Sequence, residues 1–371
     1  MKKAFLVITV FALVSSAILV GCKKAERRRE LFNVSYDPTR ELYEDYNKLF
    51  AQHWLDKTGE TIDVEKSNGG SGAQARAVKS GLEADVVTLA LASDVDVVAS
   101  GGLFAEGAED PNSDSYWQKR LPNNSCPYIS TIVILVREGN PKNIKDWDDL
   151  ARPDVKVVTP NPKTSGGARW NYLVLWGYAL NKALLADGGL DAFQKGEIPQ
   201  EKVDEAQKEA FEFTKQVFAN AFKQGMQSGA RGATDDFVKN GVGDAFLAWE
   251  NEAILAREYS NNTLEIIVPE LSVKAEPPVA VVDKMVDRRG TRDIAEEYVK
   301  FMYEPEAQEL IAKRHYRPSS EEVLTKYKDV FPETKLFTID EIFGGWPKTQ
   351  KEHFDDGGYF DKMLLDFAQQ Q

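Results

Sequence analysis

Residues 154–185 read DVKVVTPNPKTSGGARWNYLVLWGYALNKALL, and they set the pattern for the whole chain. A short apolar run, 154–159, reads as a buried strand. NPKTSGG follows as a Pro/Gly-rich turn. Residues 170–185 then form an apolar helix. A strand, a glycine turn and a helix in that order are the unit of an α/β fold.

Working outward, the same alternation recurs. Residues 31–35 read as a strand, and Asp37-Pro38 starts a helix, with Asp as N-cap and Pro at the first helical position. Leu42, Tyr46, Leu49, Phe50 and Trp54 share one face of that helix. Residues 61–66 form a strand, 69–72 a tight turn, 73–82 a helix, and 85–92 (DVVTLALA) a strand apolar on both faces. In the second half, 131–137 (TIVILVR) and 244–249 (DAFLAW) are strong strands, and 264–268 and 279–282 are weaker ones. Residues 204–222 read as a polar helix, and the chain is mostly helical from 292 onward. No internal repeat and no low-complexity linker interrupts this order.

A chain of 371 residues exceeds what one hydrophobic core ordinarily organises, so two domains are expected. Apolar residues make up 42% and charged residues 28%, the balance of a globular protein. With 59 Asp and Glu against 46 Lys and Arg, the formal charge is −13. An acidic chain without a basic face is a poor nucleic-acid binder, because phosphate neutralisation needs clustered Lys and Arg. Two cysteines and three histidines exclude a disulfide framework and a His- or Cys-rich metal site. His53, His315 and His353 lack metal-ligand spacing and read as surface or packing residues.

The N-terminus is a targeting segment. Lys2 and Lys3 precede an apolar run, 4–20, which ends Leu19-Val20-Gly21-Cys22. This resembles the bacterial lipobox, in which the Cys is acylated and becomes the new N-terminus. Residues 1–21 are therefore expected to be a signal peptide, Cys22 the lipidation site, and 22–30 a tether. An uncleaved membrane anchor is the alternative, since 17 apolar residues come close to a bilayer span. Either reading puts the folded body outside the cytoplasm, periplasmic or at the cell surface. With Cys22 acylated, Cys126 has no partner and is expected to be a buried free thiol.

Three Ser/Gly turns carry the chemistry: Asn68-Gly69-Gly70-Ser71-Gly72, Thr164-Ser165-Gly166-Gly167-Ala168 and Ser228-Gly229-Ala230-Arg231-Gly232. Each reads as a strand, a turn and a helix start, and Asp37-Pro38 is a fourth start without the glycines. A helix N-terminus leaves its first N–H groups unpaired and carries partial positive charge. Glycine lets a ligand approach the backbone. Each turn is a candidate anion cradle, although such turns are also ordinary helix caps. Rival motifs are poorer. Gly70-x-Gly72-x-x-Ala75 matches the dinucleotide fingerprint only loosely, and no acidic residue ends the next strand. No glycine turn ends in Gly-Lys-Ser/Thr. Neither Ser71 nor Ser165 sits in a G-x-S-x-G elbow, which disfavours a surface-anchored serine hydrolase. No catalytic pair of carboxylates stands out, and no cofactor is implied.

Eight stretches together resemble the periplasmic sulfate-binding proteins of bacterial ABC importers. They are NVSYDPTRELYEDYN (33–47), SNGGSGAQA (67–75), EADVVTLALA (83–92), YISTIVILVREGNPK (128–142), TPNPKTSGGARWNYL (159–173), SGARGATDDFV (228–238), AWENEA (248–253) and FTIDEIFGGWPK (337–348). The resemblance implies a type II periplasmic-binding-protein fold: two α/β lobes closing on a dehydrated anion. Its expected division is 31–122 with 278–371 as lobe 1 and 123–277 as lobe 2. It implies ligand donors at Asp37 (N–H), Ser71, Ser165, Gly166, Gly167, Ala230 (N–H) and Trp249 (indole N–H). It also implies a sulfate or thiosulfate ligand, a membrane permease as partner, and a non-enzymatic role; a monomer is expected. Without the resemblance, Trp249 reads as a core aromatic. Cys126, in NNSCPYIST, replaces an expected small residue, and 101–114 is expected to be a surface loop.

Sulfate can only accept hydrogen bonds, so a pocket made of donors suits it. Hydrogen phosphate would bring a donor that such a pocket cannot satisfy. The Asp37 side chain is therefore expected to cap its helix and face away from the ligand. Arg169 and Arg231, beside the turns, are expected to hold the loops through carboxylates.

Overall fold

The computed structural model describes residues 28–369. The leader, Cys22 and most of the tether lie outside them. The strand expected at 31–35 is longer, Arg29–Tyr36 (β1), so Arg29 and Glu30 belong to the body and not to the tether. The cause is pairing: Arg29 lies opposite Ile62 in the ladder. Its guanidinium reaches Glu60 and Asp293 at 2.9 and 2.8 Å.

Lobe 1 is built on a four-stranded sheet of order β10-β3-β1-β2. β2 is Ile62–Gly69, β3 Val86–Thr88 and β10 Val279–Val281. β1 runs parallel to β2 and β3, while β10 is antiparallel to β3. β1 and β2 end in register, Tyr36 opposite Gly69, so the turns that follow leave from the same sheet edge. Ligands of α/β sheets collect at such carboxyl ends. The expected strand 85–92 is cut to three ladder residues. Beyond them Leu89 donates to the Pro278 carbonyl, and the helix Ala92–Ala99 begins. The helix Arg40–Thr58 buries Leu42, Tyr46, Phe50 and Trp54, as its spacing predicts.

Lobe 2 has a second four-stranded sheet, β6-β7-β5-β8. β5 is Ile132–Arg137, β6 Val157–Val158, β7 Ala245–Trp249 and β8 Leu264–Ile267. β6 and β7 are parallel, so the 159–165 turn and Trp249 emerge together. β5 is antiparallel to both its neighbours. The helix expected from residue 170 starts at Gly166, capped by Ser165. The turn at 228–232 follows the helix Gln200–Phe222 and not a strand, unlike the other two.

The chain crosses between lobes three times, and the crossings are tied together. Short strand β4 (Tyr128–Ile129) pairs with β11 (Arg317–Pro318), and Ser130 bridges Ala275. The third crossing corrects the expected division. Residues 278–371 do not all belong to lobe 1, because the segment from 335 returns to lobe 2. Its strand β12 (Lys335–Phe337) runs parallel to β9 (Leu271–Val273). Phe360 packs edge-on to Tyr172 and Phe218, and Phe367 lies 5.3 Å from Phe222. A Cβ on Gly177 would lie 2.3 Å from the Phe337 ring, so glycine is what lets β12 seat on the helix Gly166–Leu184. The physical reason is the apolar face of that helix and of Gln200–Phe222. Burying each aromatic of the tail there contributes about 1.5–3 kcal/mol. The 101–114 segment is not wholly a surface loop either: Phe104 and Ala108 are buried in the core. No helix among the described residues is long and apolar enough to cross a membrane.

Candidate functional site

All four helix starts meet in one cleft between the lobes. A Cβ on Gly166, in lobe 2, would lie 2.8 Å from the Ala90 Cβ and 3.1 Å from the Ser71 Cβ, both in lobe 1. Gly70 approaches the Thr164 carbonyl to 3.1 Å by the same measure. Gly229 would touch the Asp37 carboxylate at 2.9 Å. Gly167 sits against Trp249, with the indole Nε1 2.5 Å from where a Cβ would be. Any side chain at 166 or 167 would push these groups apart. The structure thus brings Asp37, Ser71, Ser165, Gly166, Gly167, Ala230 and Trp249 together in a closed cleft.

Lobe 2 supplies most of the uncommitted donors. The N–H groups of Gly166 and Gly167 open the first turn of a 19-residue helix and have no helical partner. The Ser165 hydroxyl accepts from the Ala168 N–H at 3.4 Å, which leaves its own proton free to donate. Ala230 opens the helix Ala230–Val238 after Gly229. Trp249 is 2% exposed, and its Nε1–H has no hydrogen-bond partner among the described residues. Its neighbour Trp170, 6.3 Å away, donates to the Ala90 carbonyl at 3.0 Å. An unmet buried N–H costs about 1–3 kcal/mol. The indole N–H is thus an uncommitted donor beside two helix-start glycines.

On lobe 1 two expectations change. The Ser71 hydroxyl, expected to serve the ligand, donates to Asp94 and accepts from the Ala90 N–H at 2.9 Å. Its hydroxyl has one proton, so the N–H groups at the start of helix Ser71–Lys79 are what Ser71 and Gly72 hold uncommitted. Asp37 does not cap its helix by its side chain. It is the first residue of a 3₁₀ turn, Asp37–Thr39, with Tyr36 at the cap position. Its carboxylate instead reaches Arg40 at 3.4 Å. The tight turn leaves no side-chain oxygen facing the first N–H groups; Thr39 bonds the Tyr36 carbonyl from within.

The carboxylates near the turns are each held by a guanidinium. Asp94 lies 3.7 Å from Arg169, which also donates to the Pro162 carbonyl and to Gln350. Arg231 bonds Glu41 of lobe 1 and Glu252 of lobe 2, at 3.1 and 3.3 Å. Both arginines thus hold loops through carboxylates, as expected. Burial raises the pKa of Asp94, against the pull of Arg169 and Ser71. Burial likewise raises Asp37, against Arg40 and Arg231. Glu252 is pushed up to about 7 by burial despite Arg231. Sequence reasoning missed Asp94, Glu252 and Asn251; nothing in ALASDVD singles out Asp94, whereas Glu252 and Asn251 sit inside the AWENEA stretch. Cys126 is a buried free thiol, its pKa raised by burial. His53 bonds Glu297 at 2.7 Å, and His353 packs against Tyr172 and Trp176. Among the described residues no His/Cys/Asp/Glu group is arranged to hold a metal.

Residues 33–317 match the family model of the bacterial extracellular solute-binding proteins. The chain belongs to that family. It is 52% identical over 335 residues to the sulfate-binding protein of Escherichia coli K12, covering 90% of this chain and 92% of the relative. It is 41% identical over 356 residues to the thiosulfate-binding protein of Pseudomonas aeruginosa, covering 95% and 97%. Among solved structures, the sulfate-binding protein SubI of Mycobacterium tuberculosis superposes with a TM-score of 0.71 at 27% identity, covering 88% of this chain and all of that one. The family is one of binding proteins and not of enzymes, and its members share the two-lobed architecture described above.

Proposed function

We propose that this protein is the extracytoplasmic solute-binding component of an ABC importer, that it captures sulfate in the cleft, and that it delivers sulfate to a membrane permease. The observation that carries this is the orphaned Trp249 Nε1–H beside the free N–H groups of Gly166 and Gly167. The proposed ligand donors are the Asp37, Ser71, Gly166, Gly167 and Ala230 N–H groups, the Ser165 hydroxyl and the Trp249 indole. Each charge-assisted hydrogen bond contributes about 1.5–3 kcal/mol. Seven exceed the roughly 8 kcal/mol of micromolar binding, and the surplus offsets desolvation of a dianion and ordering of the lobes.

The anion is stabilised by local dipoles, not by a counter-charge. Arg169 and Arg231 are occupied by carboxylates, and the chain carries a net negative charge. Over distances beyond about 8 Å, salt screens that charge, and the four helix starts dominate the field at the cleft. Hydrogen phosphate fits poorly, because its proton needs an acceptor and the carboxylates near the turns are engaged with Arg40, Arg169 and Arg231.

Sulfate is favoured over thiosulfate by the higher identity to the sulfate-binding relative. Competition between the two anions in a binding titration tests that order. If thiosulfate displaces sulfate at lower concentration, thiosulfate is the main ligand. Outside the described residues, the lipobox supports signal-peptide removal and a lipid anchor at Cys22. Mass spectrometry of the N-terminal peptide decides it: acylated Cys22 supports the anchor, and an intact leader contradicts it. A monomer is the proposed solution state, which light scattering checks.

A further inference from the structure

The strand that carries Trp249 runs straight into three buried polar residues, each bound to a different part of the molecule. Trp249 itself lies at the cleft. The Glu250 amide donates to the Thr131 carbonyl at 2.9 Å, on the first crossing between lobes. Its carboxylate takes two bonds from Arg317, at 2.7 and 2.8 Å, on the third crossing. Arg317 also donates to the Pro332 carbonyl at 2.8 Å, farther along the same crossing. The Asn251 side chain is fully buried. Its Nδ2 donates to the Tyr316 hydroxyl at 3.0 Å and to the Pro38 carbonyl at 3.4 Å. Glu252 accepts from Arg231 and from the Thr234 hydroxyl, on the helix that starts at Ala230.

We propose that residues 249–252 couple anion occupancy to lobe closure, and that Asn251 is the positioning residue that registers the lobe 1 turn against the Trp249 indole. This rests on the anion-binding reading of the cleft. Pro38 directly follows Asp37, so the Asn251–Pro38 bond joins the lobe 1 donor turn to the segment that holds the lobe 2 indole. A hinge opening separates those lobes and draws the Pro38 carbonyl away from Asn251. On closure the amide loses water and must find both acceptors, because an unmet buried donor is costly. The requirement is met only when the Asp37 turn docks in one register. The Glu250–Arg317 pair clamps the segment to the crossing strands. An anion that fixes the indole therefore fixes the amide two residues away. By linkage, whatever stabilises the closed register also tightens the anion.

The test uses the purified full chain and three readouts: sulfate affinity with its dissociation rate, closure by small-angle scattering, and thermal midpoint without anion. Wild type that neither binds nor closes with sulfate overturns the sulfate reading; the oxyanion that does close it then replaces sulfate in the same comparison. For Asn251→Ala, we expect an anion-free midpoint close to wild type. Sulfate binds about tenfold more weakly or worse, through faster release, consistent with losing two neutral hydrogen bonds. At saturating sulfate this variant stays incompletely closed. Trp249→Phe, by contrast, loses affinity yet closes fully once saturated. Affinity within twofold of wild type together with full closure of Asn251→Ala overturns the proposal. Should Asn251→Ala fail to fold, Tyr316→Phe removes one acceptor without changing shape. A loss of about two- to fivefold in affinity, with incomplete closure, then supports the coupling, and no change in either overturns it.

Discussion

The two walls of the cleft are built from the same part, a helix start after a small-residue turn, yet they are differently committed. On the lobe 2 wall, the Ser165 proton, the Gly166 and Gly167 N–H groups and the Trp249 indole have no partner among the described residues. On the lobe 1 wall, the Ser71 hydroxyl is spent on Asp94, and the Asp37 carboxylate on Arg40. On the proposed function, lobe 2 holds the anion first and lobe 1 closes over it with backbone donors. Preorganisation of this kind raises affinity by reducing what must be ordered on binding.

The comparison breaks most easily at Gly167. Gly167→Ala places a methyl 2.5 Å from the indole nitrogen, which must move the proposed donor. Calorimetry should then find sulfate binding lost altogether, and near-normal binding would remove Gly167 from the site. Next in size is Trp249→Phe, which keeps a ring beside Tyr36 and Trp170 but deletes the donor. Losing one charge-assisted bond of about 1.5–3 kcal/mol predicts roughly 10- to 150-fold weaker binding. A third pair sharpens the contrast directly: Ser165→Ala should cost about tenfold or more, and Ser71→Ala only a few-fold. The reverse order, measured by the same titration, would mean that Ser71 leaves Asp94 and donates to the ligand.

A smaller effect concerns pH. Glu252 titrates near 7 in the folded protein because burial disfavours its charge, whereas an unfolded Glu titrates near its ordinary value of about 4.3. A raised pKa means that the folded state holds the proton more tightly. Its contribution is fully present below the unfolded value and lost as pH rises through about 7. Thermal midpoints should fall between acidic and mildly alkaline pH, and Glu252→Gln should flatten that slope. An unchanged slope in the variant would assign the pH dependence to other groups.

Much of this was legible in the sequence, for reasons that differ by residue. The Ser/Gly turns announce themselves because a helix start that approaches another backbone has few residue types available. Strands β5 and β7 were readable because both faces are buried and apolar. Trp249 was not readable from its own surroundings: it is one of seven tryptophans, and that its indole lacks an acceptor while that of Trp170 has one is a property of the folded cleft. The return of 335–369 to lobe 2 was hidden for a similar reason. Phe337, Phe360 and Phe367 show that the tail is buried but not against which lobe, and Gly177 becomes informative only once Phe337 lies against it. The commitment of Ser71 depends on Asp94, 23 residues away, with no local signal.

The most direct test is a calorimetric titration of the anion-stripped protein with sulfate and, separately, with phosphate at mildly alkaline pH. One-to-one binding of sulfate with no heat from phosphate is the predicted result. Equal binding of both anions, or of neither, would contradict a cleft walled by hydrogen-bond donors alone.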